Sequence, residues 1–321
     1  MTISVVIATF NGEKFIREQL DSILAQTLMP NEIIVSDDGS TDRTWEILEE
    51  YKRKYPSLFH LFRNFGEHGP HHNFKFAFQF VNCDLVAPCD QDDIWMPEKL
   101  EQCVDALKDG VSLVFCQEMI RHENGEEEKL LHAMPDLYQC IFGRVIPGHL
   151  IVCKREVLDV YKLHTEITFD MGMVLYAAAK HSGVGIEYVG CIWRRHDHVV
   201  TSEFSNHKTL YVERISKWKK LYRTLRMMRQ GKRSEVIARR MHSMHTIIVH
   251  FNGGRIEQLI TQYMEQQTPR SLMKACYAHM RIAQSQYAFT EASLRTKIGT
   301  SLYAFCYPAI YWYDYHIHDS L

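Results

Sequence analysis

Three carboxylates lie within four residues in the segment Asp90-Gln91-Asp92-Asp93, directly after the apolar run 85–89. Such a cluster is costly unless a cation neutralises it. Carboxylate oxygens are ligands that Mg²⁺ and Mn²⁺ prefer, and these ions bridge proteins to diphosphates. We therefore predict a divalent-metal site here. The alternative is an Asp-rich turn in which Asp92 or Asp93 caps a following helix.

Two further polar segments also follow apolar runs: Asp37-Asp38-Gly39-Ser40 and Thr9-Phe10-Asn11-Gly12. A carboxylate in the first of these could accept a hydrogen bond from a ribose hydroxyl or a pyrimidine N–H. The alternative is a turn in which Ser40 caps the next helix. A dinucleotide fold needs a glycine-rich first turn, whereas residues 9–14 hold one glycine, and no P-loop is present. We therefore expect a metal and basic side chains to hold phosphate.

The elements that must position these segments alternate along the first 116 residues, with β-branched apolar runs separated by helical periodicity. This alternation predicts an open α/β sheet, in which ligands bind at the carboxyl ends of the strands. All three polar segments fall at such ends. The predicted strands are 3–8, 32–36, 58–62, 84–89 and 111–116. Helices are predicted to begin near Phe15, at Ser40 or Thr41, and near Asn73 and Pro97.

The net charge of −2 conceals an asymmetry along the 321 residues. Residues 204–321 contain 18 Lys and Arg against seven Asp and Glu, a formal charge of +11, whereas residues 1–203 carry −13. An acidic body with a basic tail indicates two regions with different partners. The periodicity of the tail predicts helices at roughly 210–229, 233–250, 254–267 and 270–298.

Several cellular locations are disfavoured by the composition. No stretch of about 18 apolar residues occurs, so no membrane span is expected. Met1 leads straight into the first predicted strand without a basic leader, so no secretory signal is expected. Nine cysteines without a CxxC pair are typical of reduced thiols. Together these features predict a cytoplasmic protein.

The runs 4–12, 30–42 and 90–95 together strongly resemble family 2 glycosyltransferases, which have the GT-A fold, a Rossmann-like, mostly parallel open sheet with helices on both faces. The form Asp-Gln-Asp-Asp-Ile-Trp resembles the branch that includes bacterial rhamnosyltransferases of polysaccharide assembly. The resemblance is close over about residues 1–110 and loose over 140–203.

The resemblance implies a GT-A catalytic domain at residues 1–203, followed by a basic, helical C-terminal region at 204–321. Within the catalytic domain it implies a nucleotide-sugar-binding half at 1–110 and an acceptor-side half at 111–203. The implied enzyme is a metal-dependent, inverting glycosyltransferase of the hexosyltransferase type with Mg²⁺ or Mn²⁺. It would move a sugar from a UDP- or dTDP-type donor to a glycan or lipid-linked acceptor in cell-surface polysaccharide synthesis.

The resemblance also assigns roles to individual residues. Phe169 stands where the family has an acid or His before its general base. The matched positions are Thr9 and Asp38 for the nucleoside, Asn11 beside them for donor binding, Asp90 for the ribose and diphosphate, Asp92, Asp93 or both for the metal, Asp170 for the base, Arg194 and Arg195 for the diphosphate, and His196 as a further metal ligand.

The chemistry of inverting transfer suits these assignments. An in-line displacement needs a base that takes the acceptor hydroxyl proton, and the leaving diphosphate must be stabilised. Asp170 suits the first task, and the metal with Arg194 or Arg195 suits the second. The alternatives are that Asp170 caps a helix over 170–181 and that His196 is a structural surface residue.

Lys and Arg recur every three or four residues over 217–229 among Trp218, Leu221 and Tyr222. This pattern is typical of a basic amphipathic helix on a membrane surface. We therefore predict that residues 208–240 contact an anionic surface, with the protein peripheral on the inner face of the cytoplasmic membrane. The alternatives are a solvated helical face, a helical cap on the catalytic domain or an oligomer contact.

Two other classes of protein fit the sequence less well. A nucleotidyltransferase needs a glycine-rich, basic first loop, which is missing. A nucleic-acid-binding protein that uses residues 208–240 would show strongly salt-dependent affinity. That hypothesis leaves three acidic or polar strand-end segments without a purpose, so no nucleic-acid partner is expected.

Overall fold

The computed structural model describes residues 1–141, 145–163, 167–195, 217–286 and 305–312. The chain forms two compact units. The first consists of Met1–Pro135, Val145–His164 and Thr168–Val199, and the second of Asp136–Arg144, Thr165–Ile167 and Val200–Leu321. The functional division of the chain at residue 203 stays a prediction.

The first half of the sheet is parallel, with strand order β3-β2-β1-β4. Its central strands are short apolar runs that are buried along almost their whole length, which indicates that both faces of the sheet are covered. The elements are β1 (Ile3–Thr9), α1 (Ile16–Leu24), β2 (Glu32–Asp37), α2 (Thr44–Lys54), β3 (Phe59–Arg63), α3 (Pro70–Phe78) and β4 (Leu85–Cys89).

The second half of the sheet is mixed and continues from β4 in the order β8-β6-β9-β5, with β7 paired to β6. β6 and β9 run parallel, whereas β8 is antiparallel to both of its neighbours. The elements are β5 (Ile94–Trp95), α4 (Lys99–Ala106), β6 (Leu113–Arg121), β7 (Glu127–Leu130), α5 (Leu137–Ile141) of the second unit, a 3₁₀ helix (Gly148–Leu150), β8 (Ile151–Lys154), a second 3₁₀ helix (Arg155–Leu163), α6 (Phe169–Lys180) and β9 (Gly183–Arg194).

The five strands predicted in the first 116 residues are confirmed, each starting within two residues of its predicted position. The helix expected at Ser40 or Thr41 instead begins at Thr44. Asp42 Oδ1 accepts the N–H of Thr44 at 2.9 Å, whereas the Ser40 hydroxyl donates to Asp37. The prediction failed because the sequence offers several capping residues in a row and does not show which carboxylate each hydroxyl meets.

The polar segment Asp90–Asp93 leads into β5 and not into a helix. Ile94 and Trp95 pair with β9, and α4 begins only at Lys99. The alternative in which Asp92 or Asp93 caps a helix is therefore wrong. A two-residue strand carries too little periodicity to be read from the sequence.

The second unit is helical over its described part, as its periodicity predicts. Gln267 anchors Ser234, the N-cap of the helix Glu235–His250. The Gln267 side chain accepts the N–H of Ser234 at 2.7 Å and donates to the Ser234 carbonyl at 2.5 Å. The buried Trp312 donates to the same Gln267 side chain at 2.9 Å. The helices are α7 (Lys217–Arg229), α8 (Glu235–His250), α9 (Arg255–Gln266), α10 (Pro269–Gln286) and α11 (305–312).

Among the described residues, no helix is both long enough and apolar enough to cross a membrane.

Candidate active site

Hydrogen bonds join the polar segments Thr9–Gly12 and Asp37–Ser40, which lie at the carboxyl ends of β1 and β2. In chain order these are the first and second polar segments, and Asp90–Asp93 is the third. Thr9 lies opposite Asp37, and its hydroxyl donates to Asp37 Oδ2 at 3.0 Å. The N–H of Asp38 donates to the Thr9 carbonyl at 2.8 Å. Asn11 has a φ of +47°, and its side chain accepts the N–H of Thr41 at 2.9 Å. Thr9 and Asn11 therefore build the corner in which Asp38 lies.

Asp38 is 7% exposed, and the chain after β3 supplies its hydrogen-bond partners. Its Oδ1 accepts from Asn64 Nδ2 at 2.8 Å and lies 3.0 Å from His68 Nδ1. Its Oδ2 accepts the N–H of Gly69 at 2.7 Å. The amide donors fix the orientation of this carboxylate, while the His68 side chain is 66% exposed. His68 is thus the partner that a ligand could displace most easily.

Gln91 joins the third polar segment to the first. Its Oε1 accepts the N–H of Phe10 at 2.9 Å, and its Nε2 donates to the Phe10 carbonyl at 3.0 Å. A Cβ on Gly12 would lie 2.2 Å from Gln91 Oε1, so only glycine leaves room for this side chain. The three polar segments therefore form one continuous hydrogen-bonded surface.

The Asp90–Asp93 segment holds its charges at different depths. The Asp90 side chain is 41% exposed, Asp92 is partly exposed and the Asp93 side chain is completely buried. Neither carboxylate oxygen of Asp93 accepts a hydrogen bond from the described residues. Burial and the charges of Asp90 and Asp92 raise the pKa of Asp93 to about 7, against the opposing charges of His149 and Lys99. The protein compensates the negative charge of this segment only in part.

His149 is the buried group that faces these carboxylates. Its Nδ1 lies 3.1 Å from Asp90 Oδ2 and 3.7 Å from Asp93 Oδ2, and its Nε2 lies 2.9 Å from Glu118 Oε2. Burial by itself lowers the pKa of His149. The charge of Asp93 and the hydrogen bonds with Asp90 and Glu118 outweigh it, so the pKa rises well above its ordinary value. We assign a protonated imidazolium, since each ring nitrogen faces a carboxylate.

Arg194, at the end of β9, is directed at protein acceptors. Its Nε donates to the Asp92 carbonyl at 2.6 Å, a second nitrogen donates to the Asp93 carbonyl at 3.3 Å, and a third pairs with Glu18. The Arg195 guanidinium lies 5.0 Å from the centre of the Trp193 ring. Arg194 therefore holds the backbone of the acidic segment, and direct contact of either arginine with diphosphate stays a prediction.

Asp170 lies in the first turn of α6, which begins after Thr168. Its Oδ1 accepts the N–H of Met171 at 2.8 Å. Burial raises the pKa of Asp170, and the negative charge of Asp90 raises it further. The carboxylates of Asp170 and Asp90 are therefore close enough to interact.

The predicted site residues thus fall into three groups. The first group is the carboxylates and polar residues at the carboxyl ends of β1, β2 and β4, together with Asp170 of α6. The second is Arg194 of β9, which holds the backbone of the acidic segment, and the third is Arg195, which packs on an aromatic ring. His196 lies outside the described residues, so its role as a metal ligand stays a prediction. Residues of the first two groups are Thr9, Asn11, Asp38, Asp90, Asp92, Asp93, Asp170 and Arg194.

Sequence reasoning missed His149 and Glu118, which are 5% and 1% exposed. They are 31 positions apart and meet only because β8 pairs with β6. A partial signal was available, since the polar Gln117 and Glu118 interrupt a run of apolar residues in β6.

A parallel half-sheet with acidic segments gathered at its carboxyl ends defines an α/β domain of the GT-A type. The solved structure of residues 1–349 of S. aureus TarS in complex with UDP-GlcNAc has this fold too. It superposes with a TM-score of 0.57 at 17% identity, over 95% of this chain and 79% of that one. This likeness shows the GT-A fold.

Residues 4–162 match the sequence model of the family "Glycosyl transferase family 2", and this segment of the chain belongs to that family. The dTDP-rhamnosyl transferase RfbG of Shigella flexneri is 33% identical over 164 residues, which cover 49% of this chain and 56% of that one. The poly(ribitol-phosphate) beta-glucosyltransferase of Bacillus spizizenii is 36% identical over 115 residues, covering 35% of this chain and 18% of that protein. The chain thus matches about half of the first relative and far less of the second.

Proposed function

We propose that the protein is an inverting glycosyltransferase. It takes a sugar from a nucleotide-diphosphate donor of the UDP or dTDP type and transfers it to a glycan or lipid-linked acceptor in cell-surface polysaccharide synthesis. The observation that carries the proposal is the hydrogen-bonded surface on which Asp38, Asp90 and Asp92 lie, with Asp170 close enough for the charge of Asp90 to raise its pKa. Family membership of residues 4–162 and the names of the relatives support it.

Donor binding is assigned to the first two polar segments and Asp90. Asp38 is held by amide donors and contacts one exposed partner, His68. A pyrimidine N–H or a ribose hydroxyl that reached Asp38 would take the place of the His68 ring. Asp90 keeps Oδ1 open, since the described residues bond only its Oδ2. A second donor hydroxyl would bind there.

The residues present fit a divalent cation. Three carboxylates share one short segment, and the buried Asp93 carboxylate has no hydrogen-bond donor among the described residues. A cation here would offset the excess negative charge. We propose that Asp92, the more exposed of the two, and Asp93 hold Mg²⁺ or Mn²⁺. When bound, the ion would supply positive charge to the leaving diphosphate.

Asp170 is the proposed general base. Its raised pKa makes it a better proton acceptor than an ordinary aspartate. The acceptor hydroxyl would donate to the Asp170 carboxylate as its oxygen attacks the anomeric carbon from the side opposite the diphosphate. Arg194 would keep the Asp92 backbone in place during this step.

A sugar-nucleotide screen tests this function. We expect UDP- or dTDP-sugars to raise the unfolding temperature of the protein, and Mn²⁺ to increase the rise. NMR of the product of the best donor should show the anomeric configuration inverted. If no sugar nucleotide changes the unfolding temperature with or without Mn²⁺, the proposal is wrong.

A second proposal concerns α7. We propose that this helix binds an anionic membrane surface, with the protein on the inner face of the cytoplasmic membrane. One face of the helix exposes Trp218 by 46% and Tyr222 by 64%, together with Lys219, Arg226 and Arg229. Interleaved aromatic and cationic side chains suit a lipid interface. Lys220, which the sequence places in the basic pattern, is 3% exposed and would not take part.

Flotation with liposomes tests the α7 proposal. Replacing Lys219, Arg226 and Arg229 with Gln should weaken binding to phosphatidylserine-containing liposomes by on the order of 100-fold, since each such charge contributes about 1 kcal/mol. The control removes three exposed charges from the first unit instead, and we expect it to bind as the unchanged protein does. Equal binding by both triple variants would reject the proposal. The control substitutions are Arg53→Gln, Lys54→Gln and Lys108→Gln.

A further inference from the structure

We propose that His149 is a positioning residue for donor recognition: it fixes one oxygen of Asp90 inside the protein so that the other stays turned toward the nucleotide sugar. The inference rests on the proposed function, because it assigns a role to a carboxylate of that same site. His149 touches no donor itself in this proposal. It acts through Asp90.

The sheet register brings the two residues together. β4 and β8 are antiparallel, with Leu85 opposite Lys154 and Val86 opposite Cys153. Asp90 directly follows β4, and His149 lies in the 3₁₀ helix that leads into β8, so the pairing of the two strands brings both residues to the same end of the sheet. There Asp90 Oδ2 lies 3.1 Å from His149 Nδ1.

Two further residues hold His149, one at its ring and one at its backbone carbonyl. Its Nε2 faces Glu118 Oε2 at 2.9 Å, and Glu118 Oε1 faces His132 Nε2 at 2.8 Å. The completely buried Lys99 donates through Nζ to the His149 carbonyl at 2.5 Å. The ring therefore has one orientation, and that orientation is passed on to the partly exposed Asp90 carboxylate.

Two other roles for His149 fit the contacts less well. Offsetting the charge of Asp93 is one, since the His149 Nδ1 lies 3.7 Å from Asp93 Oδ2. That contact is an ion pair without a hydrogen bond, and it leaves the shorter contact of 3.1 Å with Asp90 Oδ2 unexplained. A metal site is the other, since Asp93, His149 and Cys191 place ligand atoms within 4.8 Å of one another. Both His149 nitrogens already face carboxylates, so no lone pair is left for a metal.

Asn and Gln at position 149 form a matched pair of variants. The Asn amide nitrogen occupies roughly the place of His Nδ1, and the Gln amide nitrogen that of Nε2. Both substitutions remove the same charge. They differ in which hydrogen bond survives: H149N keeps the bond to Asp90, and H149Q keeps the bond to Glu118.

Steady-state kinetics with the best sugar nucleotide separate the roles. We expect H149Q to raise the donor KM by roughly 10-fold or more relative to H149N, because a hydrogen bond to a charged group is lost, while kcat differs by less than about threefold. In an Asp90→Ala background the two His149 variants should have the same donor KM. A role in burial or charge balance alone predicts equal donor KM values for H149N and H149Q, and that result would overturn the proposal.

The unchanged protein is the reference for the proposed function. If it transfers no sugar from any nucleotide, the proposed function fails and this inference fails with it. If it transfers normally and the two variants match, only the inference fails. Should both His149 variants unfold, Glu118→Gln leaves the His149 side chain in place. We expect it to raise the donor KM by about threefold or more, and an unchanged donor KM in that variant would also overturn the proposal.

Discussion

The two acidic segments look alike in the sequence, but the structure surrounds them differently. In the segment after β2, Asp37 accepts hydrogen bonds from the Ser40 N–H, the Ser40 hydroxyl and the Thr9 hydroxyl, and Asp38 accepts from Asn64 and Gly69. In the segment after β4, Asp93 accepts no hydrogen bond from the described residues. The negative charge of Asp93 is offset in part by the nearby positive charges of His149 and Lys99.

The difference shows what kind of ligand each segment suits. A carboxylate with several amide or hydroxyl donors keeps its charge without a cation and can exchange one donor for another. A buried carboxylate without donors leaves excess negative charge, and its pKa rises, as that of Asp93 does to about 7. We therefore expect the segment after β2 to recognise uncharged hydrogen-bonding groups of the donor, and the segment after β4 to need a cation.

Asp92→Ala should have the largest effect. We expect it to lower turnover by on the order of 10³-fold or more and to abolish the increase in nucleotide affinity that Mn²⁺ causes, because the more exposed of the two proposed metal-binding carboxylates is lost. Calorimetry of nucleotide binding with and without Mn²⁺ measures the second effect.

Asp38→Ala is the matched change in the segment after β2. We expect it to weaken nucleotide binding by roughly 10-fold and to do so equally with and without Mn²⁺. If Asp92→Ala kept the response to Mn²⁺, or if Asp38→Ala lost it, the contrast between the two segments would be broken.

After Asp92→Ala, Asp170→Asn has the next largest expected effect on turnover. The amide cannot take a proton from the acceptor, so kcat should fall by about 10²- to 10⁴-fold, the usual contribution of a general base. Donor affinity should stay within about threefold, because Asp170 faces the acceptor in the proposed mechanism. A near-normal transfer rate in this variant would clear Asp170 of the base role.

Much of this site follows from local sequence, and the remainder depends on pairing between distant strands. The acidic segments follow short apolar strands, and the ends of neighbouring parallel strands must meet, so Asp38 and Asp90 could be predicted. The sequence contains no comparable signal for His149, which reaches Asp90 only through the antiparallel β8. Nor did it show that Arg194 would bind the Asp92 carbonyl, because β5 is two residues long and sets that contact.

Glu118→Gln tests charge compensation through stability. Burial alone raises the pKa of Glu118, but hydrogen bonds from His132 and His149 outweigh it and lower the pKa from 4.5 to about 2. Its stabilising contribution is therefore fully present above about pH 4.5 and is lost as the pH falls toward about 2. We expect Glu118→Gln to cost about 3–5 kcal/mol of unfolding free energy at neutral pH, as the loss of one member of a buried ion pair does.

Urea unfolding at a series of pH values measures this cost. The difference between the unchanged protein and Glu118→Gln should shrink as the pH falls below about 4.5. Glu32→Gln is the control, since Glu32 accepts from the Ser4 hydroxyl and the Asn82 N–H, which are uncharged donors. We expect a smaller loss at neutral pH in that variant. A cost of Glu118→Gln that did not change with pH would argue against the charge-based account.

Gly12→Ala should have the smallest effect. It tests the bridge that Gln91 makes between the loops after β4 and β1. The added Cβ would lie 2.2 Å from Gln91 Oε1, so the Gln91 side chain must leave Phe10, and the loops after β1 and β4 would no longer be joined. We expect a loss of about 1 kcal/mol in stability, because the flexible, partly exposed Gln91 side chain can move aside and its two hydrogen bonds to Phe10 are lost, and a rise of a few-fold in donor KM. Adding Gln91→Ala should change stability and donor KM little further, because the bridge is already broken. If the double variant regained the normal donor KM, the Gln91 bridge would not be what holds the donor-binding surface together.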